Sequence, residues 1–258
     1  MARFDGVLLD IDGVLAVSWE ALPGALEAVS WLREHGVSFR LITNTTTHTQ
    51  ADLAATLGDA GFDVVAEEIV TAVVATAAYL RKHHAGAAAF VLSDGEAGED
   101  LEGVRRVEHP RDAEVVVLGG ACDDFTYPTL NAIFQRLMDG ATLVGMHRNL
   151  YWRTAEGWQL DGGAYVAGLE EATGRPAVIC GKPAAGYFEQ ALALLGVAAD
   201  RAAMVGDDLV NDVLGAQAAG LTGVLVRTGK FRPDDLETAG GTPDHTLDSI
   251  ADLPAFLA

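Results

Sequence analysis

Short runs of aliphatic residues alternate along the chain with longer stretches, rich in alanine and leucine, that repeat at the helical period. The aliphatic runs predict strands at Gly6 to Leu9, Ser38 to Thr43, Ala202 to Gly206 and Gly223 to Val226. Regular alternation of strand and helix is typical of a parallel sheet covered by helices. The pattern therefore predicts an α/β fold.

The stretches with helical period predict the intervening helices, and glycines stand where several of them should end. Pro23 suits a first helical turn, because N–H groups at that position have no acceptor within the helix and a proline therefore loses no hydrogen bond. The predicted helices are Pro23 to Glu34, Thr49 to Leu57, Ala184 to Leu195 and Val210 to Ala219.

A second alternation of strands and helices occupies the middle of the chain. Its strands are predicted at Ala88 to Leu92, Glu114 to Leu118 and Thr142 to Met146, and a helix at Tyr165 to Thr173. This alternation begins and ends inside the chain, which predicts an inserted domain. We expect a core formed by residues 1–75 and 179–258, and an insert formed by residues 76–178.

The composition excludes several classes of protein. The 258 residues include 17 Lys and Arg against 37 Asp and Glu, a formal net charge of −20, and only two cysteines. Nucleic-acid binding is disfavoured because it depends on cations that neutralise phosphates. The cysteine count and the lack of a signal-like or membrane-spanning apolar run predict a cytoplasmic protein without a membrane partner.

Two carboxylates follow the first predicted strand directly, at Asp10 and Asp12. Side chains two residues apart on an extended backbone point to the same side. Such a pair can hold a hard cation, or it can divide the roles of nucleophile and acid. An ordinary polar turn, with Gly13 supplying the positive φ, is the alternative interpretation.

Two further polar segments follow predicted strands or apolar runs. Thr43 ends the strand at Ser38 to Thr43, and Asn44 and Thr45 follow it. Hydroxyl and backbone N–H groups at the entrance of a helix suit a phosphate oxygen. Capping of the next helix is the alternative. Lys182 follows the apolar run that ends at Cys180, and it is either a cation for a phosphoryl group or a solvated surface residue.

An acidic cluster follows the strand at Ala202 to Gly206. Its polar residues are Asp207, Asp208, Asn211 and Asp212. Acids are common in the first turn of a helix, where they interact favourably with its dipole. Two adjacent carboxylates in a tight turn nevertheless repel each other unless a cation compensates them. The cluster therefore predicts either a cation site or a helix start.

The four clusters in this order resemble the four motifs of the haloacid dehalogenase-like hydrolase superfamily. The matching segments are Asp10-Ile11-Asp12-Gly13-Val14, Ile42-Thr43-Asn44, Gly181-Lys182-Pro183, and Gly206-Asp207-Asp208 with Asn211-Asp212. The long insert resembles the C2-capped, nitrophenylphosphatase-like subgroup. The resemblance implies a Rossmann-like parallel-sheet core with an inserted α/β C2 cap domain.

The resemblance also implies a Mg²⁺-dependent phosphatase acting on small phosphorylated molecules through an aspartyl-phosphate. In it, Asp10 is the nucleophile and Asp12 is the general acid and base. Asp10, Asp207 and the backbone carbonyl of Asp12 ligate the metal. Thr43, Asn44, Thr45 and Lys182 bind the phosphate, and Asp208, Asn211 and Asp212 are candidates to orient metal-bound water or Lys182.

The insert offers candidates for substrate specificity, and the resemblance suggests a homodimer formed through it. The candidates follow one predicted strand of the insert: His147, Arg148, Asn149, Tyr151 and Trp152. Surface-loop and core positions are the alternative. The segment Asp161-Gly162-Gly163 is a further candidate loop, or a turn before the helix at Tyr165 to Thr173. The sequence does not identify the natural substrate.

Two other functions use part of the same chemistry. A phosphoaccepting receiver module also combines acids, a threonine, a lysine and Mg²⁺, but it is about half this length and its acceptor lies on a later strand. A catalytically retired binding module would have lost Asp10, Asp12, Lys182 or Asp207, and all four are present.

Overall fold

The computed structural model describes residues 4–95, 98–154 and 157–258. Contacts divide the chain into two compact units. The first unit comprises Met1–Thr43, Gln50–Val70 and Lys182–Ala258, and the second comprises Asn44–Thr49 and Thr71–Gly181.

The strands and helices follow one another in the alternation that the sequence predicts. The strands are β1 Gly6–Asp10, β2 Ala16–Val17, β3 Glu20–Ala21, β4 Ser38–Thr43, β5 Ile69–Thr71, β6 Ala89–Leu92, β7 Val115–Leu118, β8 Thr142–Gly145, β9 Tyr151–Thr154, β10 Gly157–Leu160, β11 Val178–Ile179, β12 Ala202–Gly206, β13 Thr222–Val226 and β14 His245–Leu247. The α-helices are α1 Ala25–Glu34, α2 Gln50–Asp59, α3 Ala72–His83, α4 Tyr127–Met138, α5 Gly162–Thr173, α6 Ala185–Leu195, α7 Gly215–Ala218, α8 Asp235–Thr238 and α9 Leu253–Leu257. A π-helical segment spans Leu209–Leu214, and 3₁₀ turns span Ala66–Glu68, Glu99–Leu101, Pro110–Asp112, Ala199–Arg201 and Ile250–Asp252.

The first unit contains a six-stranded sheet in the order β14-β13-β12-β1-β4-β5. Strand β1 lies between β12 and β4 and pairs with both in parallel register. Every residue of β1 and of β12 is buried, which explains why both read as nearly continuous apolar runs. Parallel pairing brings the carboxyl ends of these three strands to one edge of the sheet.

The second unit contains its own four-stranded sheet in the order β11-β8-β7-β6, and each pairing is parallel. Strands β9 and β10 form a separate antiparallel hairpin. A cluster of buried residues that includes Val116, Ile133 and Val166 packs α4 and α5 against this sheet. The predicted parallel α/β architecture is confirmed in both units.

Some predicted boundaries differ from those in the structure. Helix α1 begins at Ala25 rather than Pro23, because Leu22 and Ala25 first close a turn through a backbone hydrogen bond of 3.0 Å. Helix α5 begins at Gly162 rather than Tyr165, since the Asp161 carboxylate accepts from the Gly162 N–H and caps the helix. No helix within the described ranges is both long and apolar enough to cross a membrane.

Candidate active site

Three of the predicted site residues approach one another inside the first unit. Asp10 is the last residue of β1, Asp207 directly follows β12, and Lys182 precedes α6. Because β1 and β12 are adjacent and parallel, their carboxyl ends bring the two carboxylates to the same edge of the sheet. The side chains of all three residues are buried.

The ammonium of Lys182 bridges two carboxylates. Its Nζ lies 2.7 Å from Asp10 Oδ1 and 2.7 Å from Asp212 Oδ1, and no more than 6% of any of the three side chains is exposed. Burial lowers the pKa of Lys182, but the charges of Asp10 and Asp212 raise it by more. Lys182 is therefore a permanent positive charge within a cluster of acids.

Asp207 belongs to the same cluster, and its two oxygens have different surroundings. Its Oδ2 accepts a 2.6 Å hydrogen bond from the backbone N–H of Lys230, whereas its buried Oδ1 has no hydrogen-bond partner among the described residues. Carboxylate oxygens of Asp10, Asp207 and Asp212 lie within 4.8 Å of one another. An orphaned buried oxygen among all-oxygen donors fits a hard divalent cation such as Mg²⁺.

The electrostatics of the cluster agree with that fit. Burial, and then the charge of Asp10, raise the pKa values of both Asp207 and Asp212. Together with Asp12, the cluster holds four carboxylates against the ammonium groups of Lys182 and Lys230. Two formal negative charges remain, which a divalent cation would neutralise.

Asp12 differs from its neighbours because its side chain is exposed. Loss of surrounding water raises its pKa, the charge of Lys230 lowers it, and the net shift is upward. An exposed carboxyl group with a raised pKa is able to exchange protons.

The structure separates two acids that the sequence treats alike. Asp208 caps the π-helical segment: its Oδ1 accepts from the N–H groups of Val210 and Asn211, and its Oδ2 accepts from the Asn211 side chain. Asp212 instead pairs with Lys182, and its Oδ2 accepts from the Asp208 N–H at 3.2 Å. The predicted helix Val210 to Ala219 consists of this π segment, which contains Asp212, followed by α7.

Thr43 is held by a residue that the sequence analysis missed. The hydroxyl of Tyr187, in the first turn of α6, accepts from the Thr43 N–H at 3.0 Å and donates to the Val70 carbonyl at 2.6 Å. Tyr187 is fully buried, and burial raises the pKa of its phenol. In the sequence, only its position five residues after Lys182 connects Tyr187 with the site. A tyrosine at that position is equally expected on the apolar face of an ordinary helix.

Asn44 and Thr45 belong to the second unit. A Cβ on Gly181 would lie 2.6 Å from Asn44 Oδ1, so the Asn44 side chain packs directly against the residue that precedes Lys182. Thr45 Oγ1 and Thr47 Oγ1 are 3.2 Å apart and share a hydrogen bond.

The specificity candidates have unlike surroundings. His147 is buried, and its Nδ1 accepts from the Asn149 N–H at 3.2 Å. Arg148 pairs with Glu170, whereas Tyr151 is 61% exposed. The side chain of Trp152 lies outside the part of the chain that the structure describes. Of these residues, Tyr151 offers the most accessible side chain.

The turn after β13 is a second feature that the sequence analysis gave no role. Thr228 donates a hydrogen bond to the Gly13 carbonyl, and Lys230 donates its backbone N–H to Asp207. Only the glycine between them marks this turn in the sequence, and a glycine after a strand is common in any loop.

The site thus combines a buried lysine, a carboxylate at a strand end and an acidic cluster that could hold a cation, all at the carboxyl edge of a parallel sheet, which is an arrangement suited to a hydrolase. Family comparisons agree with this class. A sequence profile described as haloacid dehalogenase-like hydrolase matches residues 7–105, and a second, described as HAD-hydrolase-like, matches residues 179–253.

Individual relatives extend the similarity over nearly the whole chain. Human haloacid dehalogenase-like hydrolase domain-containing protein 2 is 37% identical over 244 residues, which is 95% of this chain and 92% of that protein. Human phospholysine phosphohistidine inorganic pyrophosphate phosphatase is 35% identical, covering 100% and 95% of the two chains. The solved p-nitrophenyl phosphatase from Archaeoglobus fulgidus superposes with a TM-score of 0.91 at 27% identity, covering 98% of each chain. The chain belongs to the haloacid dehalogenase-like hydrolase family, which confirms the resemblance drawn from its motifs.

Proposed function

We propose that this hydrolase is a Mg²⁺-dependent phosphatase that cleaves small phosphorylated metabolites through an aspartyl-phosphate. One observation carries the proposal: the buried Asp10 carboxylate, 2.7 Å from the Lys182 ammonium, shares its cluster with the unpartnered Oδ1 of Asp207. This arrangement combines a nucleophile, a cation for phosphate and a place for a metal ion.

The metal would be held by side-chain oxygens of Asp10 and Asp207 and, as the family resemblance implies, by the backbone carbonyl of Asp12. Asp212 lies within the same group of oxygens, but its pairing with Lys182 favours a role in holding that lysine. When bound, Mg²⁺ supplies positive charge that neutralises a phosphoryl oxygen and offsets the repulsion between the carboxylates.

Asp10 performs the first step. A carboxylate anion carries its own lone pairs and needs no base to attack phosphorus. An Asp10 oxygen forms a bond to phosphorus while the bond from phosphorus to the leaving oxygen breaks. Asp12 donates its proton to that oxygen, so an alcohol or its equivalent departs and an aspartyl-phosphate remains.

Asp12 reverses its role in the second step. As a carboxylate it accepts a proton from water, whose oxygen attacks the phosphorus of the aspartyl-phosphate. The bond between phosphorus and the Asp10 oxygen breaks, inorganic phosphate leaves, and both acids return to their starting states. Exposure of the Asp12 side chain supports this role, because both the leaving group and water must reach it.

The phosphoryl oxygens would be bound by Thr43, Asn44, Thr45 and Lys182. Charge accumulates on these oxygens in the loose transition state of phosphoryl transfer, so fixed donors at this point lower the barrier. The anchoring of Thr43 by the buried Tyr187 supports such a fixed position.

We assign catalysis to residues 1–75 and 179–258 and the choice of leaving group to the inserted residues 76–178. Within the insert, His147, Arg148, Asn149 and Tyr151 are the proposed specificity residues. One relative is named for phospholysine, phosphohistidine and pyrophosphate, and a structural neighbour for p-nitrophenyl phosphate. These compounds are therefore the first candidates to test as substrates.

Two further proposals concern the surroundings of the enzyme. The described cysteines, Cys122 and Cys180, are both free thiols, which supports a reducing cytosol. A homodimer formed through the insert is proposed from the family resemblance, and sedimentation analysis of the purified chain measures it.

Hydrolysis of 4-nitrophenyl phosphate by the purified chain tests the proposed function. We expect multiple turnovers with Mg²⁺, loss of turnover with a chelator and its return when Mg²⁺ is restored. Asp10→Asn should still fold, with reduced stability, and release no phosphate, and acid quenching of the wild type should trap phosphate on Asp10. Turnover by Asp10→Asn would contradict the nucleophile, whereas labelling limited to one phosphate per chain would favour a receiver module.

A further inference from the structure

The turn Thr228–Lys230, which begins two residues after β13, connects Asp207 with Gly13, the residue that follows Asp12. The hydroxyl of Thr228 donates a 2.5 Å hydrogen bond to the Gly13 carbonyl. Two residues later, the backbone N–H of Lys230 donates to Asp207 Oδ2 at 2.6 Å. Three separate stretches of the chain thus meet at one carboxylate.

The fit of these stretches leaves no room for side chains on two glycines. Gly13 and Gly229 have φ values of +86° and +58°, a region that L residues with a Cβ rarely adopt. A Cβ on either residue would overlap the Asp207 carboxylate, and a Cβ on Gly229 would also lie 2.5 Å from Gly13 Cα. The backbones of both glycines therefore pack directly against the same carboxylate oxygen, Oδ2.

This packing determines which oxygen of Asp207 remains available. The Lys230 N–H donates to Oδ2, the two glycines pack against that same oxygen, and Oδ1 is left buried without a hydrogen-bond partner among the described residues. A carboxylate held in this way does not need to reorganise before it binds a cation, because one oxygen is already fixed and the other is not engaged by a hydrogen bond.

We propose that the Thr228–Lys230 turn positions Asp207 for the divalent ion, with the Thr228 hydroxyl as the positioning group. Thr228 acts through Gly13 and Lys230 and does not touch the substrate or the ion. Its hydrogen bond fixes the turn, and the fixed turn presents the Lys230 N–H to Asp207. The inference rests on the proposed function, because it assumes that Asp207 is a metal ligand.

Thr228→Val removes the hydroxyl and keeps the size and branching of the side chain. We expect Mg²⁺ to bind about 10- to 100-fold more weakly, as is typical when a group that orients a metal ligand is lost. Calorimetric titration with MgCl₂, without substrate, measures the affinity. Thr228→Ser restores a hydroxyl and should bind Mg²⁺ within about twofold of the wild type.

Thr238→Val is the matched control. The Thr238 hydroxyl also donates to a backbone carbonyl, that of Asp234 at 3.0 Å, but it does so within the exposed helix α8. This variant should keep the wild-type affinity for Mg²⁺. If Thr228→Val does not fold, Thr228→Ala removes the same hydroxyl with a smaller side chain, and the same loss of affinity is expected.

The two proposals fail in different ways. A wild-type chain that binds no Mg²⁺ and needs none for turnover would overturn the metal-dependent function itself. A wild type that binds Mg²⁺, together with an unchanged affinity in the folded Thr228 variant that lacks the hydroxyl, would overturn only the role of the turn. An equal loss of Mg²⁺ affinity in Thr228→Val and Thr228→Ser would also overturn the role of the turn, because the hydroxyl would then not be the positioning group.

Discussion

Lys182 and Asp10 are 172 positions apart in the sequence, yet the Lys182 Nζ lies 2.7 Å from Asp10 Oδ1. Both side chains are almost completely buried, and Asp212 pairs with the same ammonium from its other side. The proposed nucleophile is therefore held by a charge that also maintains the structure of the site. Changes to this pair should affect stability and catalysis together.

Replacement of Lys182 by alanine tests that coupling. The change leaves Asp10 and Asp212 buried without their common cation, and loss of one partner of a buried pair costs about 3 to 5 kcal/mol of unfolding free energy. Loss of the donor should also lower kcat by roughly 10²- to 10³-fold. Denaturant unfolding and 4-nitrophenyl phosphate kinetics measure the two effects. Lys82→Ala, on the exposed face of α3, is the control, and full stability in Lys182→Ala would contradict the pairing.

Gly206 is a second sensitive position, because a Cβ there would overlap Asp212. Gly206→Ala should destabilise the first unit by about 1 to 3 kcal/mol, as overpacking of a tight site does. The same substitution at Gly168, inside α5 with open space around it, should stabilise its helix by about 0.5 to 1 kcal/mol. Opposite shifts of the thermal unfolding midpoints are the expected result, and a neutral Gly206→Ala would show that Asp212 has room to move.

Tyr187→Phe removes the hydroxyl that anchors the end of β4. The Thr43 N–H loses this acceptor and the buried Val70 carbonyl loses its donor, and a buried polar group without its partner costs about 1 to 3 kcal/mol. We also expect a raised KM for phosphate esters, since Thr43 is proposed to bind the phosphoryl group. Tyr127→Phe, at a side chain that is 79% exposed, should change neither stability nor KM. A stable Tyr187→Phe variant with wild-type KM would contradict the proposed role of Thr43 in substrate binding.

Asp208 and Asp212 should respond differently to removal of their charge. Asp208→Ala deletes the cap of the π-helical segment and should cost about 1 kcal/mol, with little effect on the affinity for Mg²⁺. Asp212→Ala removes a carboxylate from the buried cluster and frees Lys182, so catalysis should fall much further than in Asp208→Ala. Parallel stability and turnover measurements compare the two, and equal loss of turnover would refute the division of roles.

His147 predicts a pH dependence of stability in the second unit. Burial lowers its pKa below the ordinary value of 6.5, although the charge of Asp161, 3.6 Å away, opposes the shift. The unfolded chain then binds the proton more readily, so the unfolding free energy of this unit decreases as the pH falls below about 6.5. His147→Gln should reduce that decrease between pH 7 and pH 5. His109→Gln, at an exposed position, should leave it unchanged, and equal pH profiles for all three proteins would contradict the prediction.

Local pattern was sufficient for most of the architecture. Strands β4 and β12 have the predicted bounds, because a buried parallel strand needs a short apolar run that is visible in any window of the sequence. The short strands β5 and β14 were not predicted, since three residues are too few to show a period. The hairpin strands β9 and β10 were not predicted either.

The sequence by itself determined the parallel α/β fold and the residues that stand at the ends of its strands, among them Asp10, Thr43 and Asp207. Those features depend on neighbours in the chain. Only the tertiary structure decided that Asp212 meets Lys182, that Tyr187 holds Thr43, and that the turn at Thr228 packs against Asp207. These relationships join segments that are far apart in sequence, and they depend on backbone approaches of a few ångströms that no local pattern encodes.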